Sequence, residues 1–156
     1  MKLGLWLLIV STLAAGVAFA QSVGVGDRIA PLSLEDQHGV LRAVDEASRV
    51  VLFSRDMDGG KLLKQALADT EAGFLESRQA VYVADISGMP KMVARLFALP
   101  SMRRRPYPML LDRTGEATRA LPDVEEKATL IFLDALEVER IEHLDSSEAV
   151  RAALGD

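Results

Sequence analysis

The sequence of 156 residues contains no cysteine. A chain without thiols cannot form disulfides or carry out thiol–disulfide exchange, because both require sulfur that forms and breaks bonds to sulfur. Histidine is scarce as well, since His38 and His143 are the only two. Neither has a second histidine at helical or hairpin spacing, so the sequence indicates neither a zinc site nor a Ser-His-Asp site. We therefore expect no cofactor and no bound metal.

Positive charge is in the minority: 18 basic residues face 23 acidic ones, and the net charge is −5. Such a balance argues against nonspecific nucleic-acid binding. After the first twenty residues, no apolar run approaches the ~20 residues that a membrane helix needs. The sequence therefore predicts no nucleic-acid partner and no stable membrane span in the mature chain.

The N-terminus has the pattern of a secretory signal peptide. Lys2 precedes the apolar residues 3–10 and 13–19, and Ala18-Phe19-Ala20 matches a small-residue cleavage site. We predict a signal peptide over residues 1–20 and a single domain over residues 21–156. Since no cysteine follows the cleavage site, a lipid anchor is excluded, and the expected location is the periplasm.

The first half of the mature chain has the pattern of a β-hairpin followed by a βαβ unit. Residues 25–45 alternate around a turn rich in polar residues and glycine, which predicts the hairpin. Val50–Phe53 is a short apolar run typical of a strand covered on both faces. The spacing of apolar residues predicts a helix from Lys61 to about Ser77, then a strand over Ala80–Ala84 and a helix from about Pro90 to Leu99.

The second half has the pattern of an antiparallel hairpin and a final helix. Thr129–Leu133 and Glu137–His143 read as strands joined by a turn at Asp134-Ala135. A helix over Ser147–Leu154 is expected to be capped by Asp145 or Ser146, with Glu148 completing a capping box from Asp145. The order of elements predicts an α/β domain with a mixed sheet.

Three local motifs follow one another in an order that resembles the redoxins. They are Val25-Gly26-Asp27 with Ala30-Pro31, Leu34, Asp36 and Gly39; Tyr107 to Asp112 with Gly115; and Ala128-Thr129 to Leu133-Asp134. Redoxins are a thioredoxin-like group that includes peroxiredoxins and exported thiol-disulfide proteins. The resemblance implies a thioredoxin-like three-layer sandwich with a mixed sheet and an N-terminal β-hairpin.

The resemblance also indicates which positions of this chain correspond to the redoxin cysteines. When Val50–Phe53 is matched with the redoxin strand, the Cys-x-x-Cys positions read Asp58, Gly59, Gly60 and Lys61. The proline that is usually cis beside the thiols matches Ala128, and Lys127 lies near the arginine of a peroxiredoxin. The chain thus resembles a cysteine-free, redox-inactive exported member of the superfamily.

Residue chemistry gives Asp58 two interpretations. As an N-cap it would accept hydrogen bonds from free amides at the start of a helix, where the helix dipole stabilises a carboxylate. As part of an acid/base site it would act with Asp56 and Lys61. A metal alternative comes from Met89 and Met92, whose thioethers have the spacing of two Cu(I) ligands, although methionine in helices is usually core filler.

A basic run stands out in this acidic chain: Arg103, Arg104 and Arg105 precede Pro106-Tyr107-Pro108. It is either a solvated loop or a docking patch for an anionic or extended partner. In the docking patch, the arginines would bind carboxylates or phosphates and Tyr107 would add a stacking face. Arg95, on the preceding predicted helix, would join it.

These observations favour a noncatalytic binding or accessory module with a protein or peptide partner in the periplasm. The fold's groove beside Asp58 and Ala128 would hold an extended peptide by main-chain pairing. One alternative is a non-thiol enzyme that uses carboxylates near Asp58 with Lys61 or Lys127 as charge partner. Another is a small-ligand or metal carrier. An enzyme predicts a deep pocket where Asp56, Asp58 and Lys61 converge, whereas a binding module predicts a shallow groove.

Overall fold

The computed structural model describes residues 22–155, so the predicted signal peptide lies outside the described residues. The strands are β1 (Leu32–Glu35), β2 (Leu41–Val44), β3 (Val50–Ser54), β4 (Ala80–Asp85), β5 (Met109–Asp112), β6 (Ala128–Asp134) and β7 (Glu137–Leu144). The helices are α1 (Met57–Ala66), α2 (Phe74–Ser77), α3 (Lys91–Val93), α4 (Leu99–Met102) and α5 (Ser147–Ala153), with a π-helical turn at Ala94–Ala98. Within residues 22–155, none of the helices has the length and apolarity required to cross a membrane.

Two sheets organise the domain. The main sheet has five strands in the order β5-β4-β3-β6-β7, and β1 pairs antiparallel with β2 in a separate N-terminal hairpin. The strand β3 runs parallel to β4 and antiparallel to β6, which makes the sheet mixed, as predicted. Central β3 is the apolar run Val50–Phe53 extended by Ser54, and Val51–Ser54 are buried.

Alternation along β3 divides the core between the two faces of the sheet. Leu52 packs with residues of α1 and α5, including Leu63 and Val150. Val51 and Phe53 point to the other face, which the hairpin and the N-terminal segment cover. The further residues on that second face include Ile29, Leu32, Val44, Leu121, Ile131, Leu133 and Val138. The predicted three layers are therefore a helical layer, the sheet, and a layer formed largely by the hairpin.

A buried glutamine attaches the hairpin to the main sheet. The side chain of Gln37 donates to the carbonyl of Tyr107 at 2.8 Å and accepts from the amide of Met109 at 2.7 Å. Gln37 is buried, so both of its polar ends need partners inside the protein. These bonds fix the hairpin beside the edge strand β5.

The single helix predicted from Lys61 to Ser77 is wrong at both its start and its continuity. The helix α1 begins earlier, at Met57, and ends at Ala66, and the short α2 follows after a loop. The loop ends at Gly73, whose φ of 87° is left-handed and incompatible with a continuing helix. Apolar spacing continues across this break because both helices cover the same core.

The predicted helix from Pro90 to Leu99 extends further. Helical residues run without a break over 91–102, which we call the 91–102 helix, and its middle is the π-helical turn. This turn precedes Pro100, which lacks the N–H that an α-helix would direct to Leu96. Leu99 and Met102 pack against the core of the helical layer.

The turn of the last hairpin and the N-cap of the last helix can be compared with the prediction residue by residue. The β6–β7 turn is at Ala135-Leu136, with φ of 46° and 70°, instead of Asp134-Ala135. Of the two cap candidates for α5, Ser146 is the N-cap, and its hydroxyl accepts from the amide of Ala149 at 3.2 Å. The predicted capping box between Asp145 and Glu148 is therefore wrong.

Candidate functional site

The start of α1 lies at the carboxyl end of the central strand, where α/β proteins commonly place their sites. Residues 58–61 lie in the first turns of this helix, which begins at Met57, three residues after β3 ends. Asp58 and Lys61 are exposed, whereas Gly59 is buried. The tetrad thus presents two opposite charges to solvent on either side of a packed glycine backbone.

Asp56, not Asp58, is the N-cap of α1. One carboxylate oxygen of Asp56 accepts from the amide of Gly59 at 2.7 Å. Its other oxygen accepts from the amide of Glu126 at 2.8 Å, in the loop before β6. Asp58 is the second residue of the helix, two positions after the N-cap. From there its side chain cannot accept from the free amides in the way that an N-cap side chain does. The interpretation of Asp58 as N-cap is therefore wrong, and Asp56 joins the helix to the loop over residues 124–127, which we call the 124–127 loop.

The same loop packs directly on Gly59. A Cβ atom at this position would lie 2.3 Å from the carbonyl oxygen of Lys127, a distance at which no side chain fits. At Gly60 the nearest atom to such a Cβ would be the hydroxyl of Ser54 at 3.6 Å, which is ordinary contact. Gly59 is therefore required by a close approach of two backbones, and Gly60 is not.

This packing changes the peptide groove predicted beside Asp58 and Ala128. The amide of Lys127 donates to the carbonyl of Val124 at 3.1 Å, and that of Glu126 is held by Asp56. Ala128 is fully buried at the start of β6, where it is paired with Leu144. The loop thus lies against the helix where the sequence predicted a groove, and its amides at 126 and 127 are already bonded.

An exposed surface surrounds the tetrad. In α1, Met57 is 82% exposed and the charged side chains of Asp58 and Lys61 are exposed as well. Val124, which belongs to the loop that packs on Gly59, is 38% exposed. We call these four residues the α1 surface. It combines apolar contact area with one charge of each sign.

Sequence reasoning missed a charged network at the carboxyl ends of the three parallel strands. Arg55 follows β3, Asp85 ends β4 and Asp112 ends β5. Nε of Arg55 lies 3.3 Å from Oδ2 of Asp85. The hydroxyl of Thr118 lies 3.1 Å from Oδ2 of Asp85 and 3.0 Å from Oδ2 of Asp112. The signal was present, because parallel strands bring their carboxyl ends to one edge of the sheet.

The pKa values of two carboxyls in this region are shifted in opposite directions. Burial alone would raise the pKa of Asp112, but hydrogen bonds from Thr118, Thr114 and Gly115 outweigh it and hold that pKa below its usual value. Burial raises the pKa of Asp123, and the charge of Arg55, at 4.0 Å, compensates only partly. Oδ1 of Asp123 is buried without a hydrogen-bond partner among the described residues.

Two cavities in the described part of the chain lie away from the tetrad. Asp56 uses both carboxylate oxygens in structural hydrogen bonds, while Asp58 and Lys61 face solvent. A cavity of about 790 Å³ lies between the α1–α2 loop and α5, and one of about 350 Å³ lies beside β2 and β4. Neither cavity is lined by any of residues 56–61.

The predicted docking patch is only partly a surface. Tyr107 is 2% exposed and stacks on Tyr82, with ring centroids 6.3 Å apart, so the predicted stacking face is wrong. Nε of Arg103 donates to the carbonyl of Gln37 at 2.9 Å. Arg95 and Arg104 are exposed, and Arg105 is half-buried. The sequence alone predicts a surface position for Tyr107 because it does not show the core partner Tyr82.

The structure also locates the residues weighed as metal ligands. Nδ1 of His143 lies 3.0 Å from the hydroxyl of Thr129, on the neighbouring strand. Of the two methionines, Met89 is half-buried and Met92 is exposed. Among residues 22–155, no three or more His, Asp or Glu side chains are grouped so as to hold a metal ion.

Comparison with known proteins shows the fold. No family model matches the sequence, and no curated protein matches it. Solved structures are similar over most of the chain. Peroxidoxin BcpB from Mycobacterium tuberculosis is 19% identical with a TM-score of 0.54, and the match covers 83% of this chain and 94% of that one.

Two further structures support the same assignment. StoA from Bacillus subtilis is 13% identical, with a TM-score of 0.53 and coverage of 79% of this chain and 95% of that one. A peroxiredoxin-like protein from Aquifex aeolicus is 10% identical, with a TM-score of 0.53 and coverage of 85% and 86%. At these identities the likeness is one of fold. The chain has a thioredoxin-like fold, as predicted, and without cysteine we expect no thiol-based redox activity from it.

Proposed function

We propose that this protein is an exported, noncatalytic binding or accessory module that recognises a protein partner in the periplasm through the α1 surface. The observation that carries the proposal is the position of Asp58 and Lys61. They are exposed at the start of the helix that follows the central strand, where the redoxin resemblance places a Cys-x-x-Cys pair. The site is open to solvent and has no thiol.

The composition of the α1 surface suits an interface. Met57 is the most exposed large apolar residue of the described chain, at 82%. Methionine is enriched at protein interfaces, and its flexible thioether adapts to partners of different shape. The charges of Asp58 and Lys61 would select the orientation of a partner more than they add affinity.

The packing of the 124–127 loop decides the mode of binding. Because the amides of Glu126 and Lys127 are already bonded, main-chain pairing with a peptide would first have to break those bonds. Side-chain contacts to Met57 and Val124 need no such change. We therefore propose side-chain recognition in place of the β-type pairing expected from the sequence.

Site-specific photo-crosslinking in intact cells tests the proposal. A photoreactive amino acid replaces Met57 in the full chain, and in a matched variant it replaces Val40, which is 51% exposed in the N-terminal hairpin. We expect that the exported protein forms one or a few discrete protein adducts at position 57. The variant with the photoreactive residue at position 40 should not form them. Identical adduct patterns from the two positions, or none from position 57, would overturn the proposal.

A further inference from the structure

The 91–102 helix carries an apolar surface that the rest of the described chain leaves uncovered. Met92 is 71% exposed, Val93 43%, Leu96 55% and Phe97 70%. Met92 and Leu96, and likewise Val93 and Phe97, are four residues apart and therefore neighbours along the helix. Large contiguous apolar surfaces on soluble domains mark interaction sites. We call these four residues the apolar ridge.

The sequence on both sides of the apolar ridge carries charge of a single sign. Residues 86–111 contain no Asp or Glu, although the chain as a whole is acidic. The same residues include the five basic side chains Lys91, Arg95, Arg103, Arg104 and Arg105. Lys91, Arg95 and Arg104 are exposed, so positive charge accompanies the ridge and continues beyond the helix.

We propose that the apolar ridge is a peripheral membrane-binding element that inserts into an anionic lipid surface. Helices that lie in a membrane interface bury Phe and Leu at the boundary of headgroups and acyl chains while Lys and Arg bind anionic headgroups. The opposite side of the 91–102 helix is occupied, since Ala94 is buried and Leu99 and Met102 pack on the core. The helix is thus fixed to the domain with its ridge outward.

The shape of this surface favours lipid over a peptide. Neither of the two cavities described above is lined by a residue of the 91–102 helix. A peptide would gain affinity from a groove that surrounds its side chains, whereas an outward ridge inserts its own side chains into a soft layer. This membrane contact is independent of the α1 surface, since the two surfaces share no residue.

Fluorescence of a single tryptophan measures insertion directly. The only native tryptophan, Trp6, belongs to residues 1–20, so Phe97→Trp gives one reporter in the chain purified after export, with its N-terminus verified by sequencing. Vesicles of equal parts phosphatidylglycerol and phosphatidylcholine should shift its emission to the blue. Vesicles of phosphatidylcholine alone should not, and added salt should weaken binding. Val40→Trp is the matched control and should not shift.

Charge and ridge variants separate the two contributions. Sedimentation with anionic vesicles should fall by a factor on the order of ten to thirty in Arg95→Ser/Arg104→Ser, since each basic residue near the surface contributes about fivefold. Leu96→Ser should lower it by roughly tenfold because apolar burial is lost. Arg113→Ser/Arg119→Ser, which removes exposed arginines elsewhere, should bind like the unmodified chain. Melting temperatures verify that all variants are folded.

Three outcomes would overturn the proposal. One is an unshifted emission of Phe97→Trp at saturating anionic lipid. A second is binding that Leu96→Ser leaves unchanged, since insertion requires the ridge. The third is equal affinity for soluble polyglutamate, lost only in the arginine variant, which would assign the surface to an acidic polypeptide.

Discussion

Gly59 and Gly60 are adjacent in α1 but have different surroundings. Alanine at 59 would press its Cβ against the backbone of Lys127, and we expect Gly59→Ala to lower the free energy of unfolding by about 1–3 kcal/mol. Gly60→Ala is the matched control, because its Cβ meets only ordinary contacts and alanine favours the helix. It should raise stability by up to about 1 kcal/mol. Urea unfolding of both variants checks this, and equal effects would refute the close approach of the loop.

Asp56 and Asp58 form a second pair of matched residues. Asp56→Ala removes the acceptor of two backbone amides and should cost about 1–2 kcal/mol. Asp58→Ala removes only a favourable interaction with the helix dipole and should cost less than about 1 kcal/mol. The comparison uses thermal unfolding at neutral pH. A larger loss from Asp58→Ala would restore it as the cap and contradict the observed geometry.

Asp123 and Asp112 should respond to pH with opposite signs. Because burial raises the pKa of Asp123, its charged form costs stability once the pH exceeds the ordinary value of 3.8. Asp123→Asn should therefore raise the melting temperature at neutral pH, with the gain vanishing below that value. The pKa of Asp112 is lowered, so Asp112→Asn should lower the melting temperature at neutral pH and lose this effect in acid. Melting curves across pH that shift in the same direction for both variants would contradict the assignment.

At the scale of elements, apolar pattern predicted the strands better than the helix ends. Val50–Phe53 is recognisable because a strand buried on both faces needs a continuous apolar run. The start of α1 was misplaced because Asp56 and Asp58 carry the same carboxylate, and only the structure shows that the amide of Gly59 donates to Asp56. The charged network at the strand ends was missed because residues 55, 85 and 112 are brought together by strand pairing alone.

The β6–β7 turn offers a test at the same scale. Ala135 has a φ of 46°, a left-handed conformation that is unfavourable for a residue with a Cβ atom. Ala135→Gly should relieve this strain and stabilise the hairpin by up to about 1 kcal/mol. Ala149→Gly, in the right-handed first turn of α5, is the control and should destabilise by a similar amount. Urea unfolding checks both, and a loss of stability at 135 would place the turn elsewhere.

At the scale of the whole molecule, the fold does not depend on the redox chemistry with which it is usually associated. The order of motifs was sufficient to predict a thioredoxin-like fold, because that fold depends on the sequence of strands and helices and not on cysteine. The surfaces were harder to predict. Tyr107 was assigned to a surface although it is buried, and the apolar residues of the 91–102 helix gave no sign of their exposure, since exposure depends on what the rest of the chain covers.

The central claim is that the α1 surface binds a protein partner through its exposed side chains. Its most direct test is the yield of partner adducts from a photoreactive residue at position 57, measured with and without Asp58→Ala/Lys61→Ala. Both side chains are exposed, so the double substitution should change the free energy of unfolding by no more than about 1 kcal/mol. We predict that the adduct yield falls by roughly tenfold or more, as expected when two interface contacts are lost. An undiminished yield in the folded double variant would contradict the account.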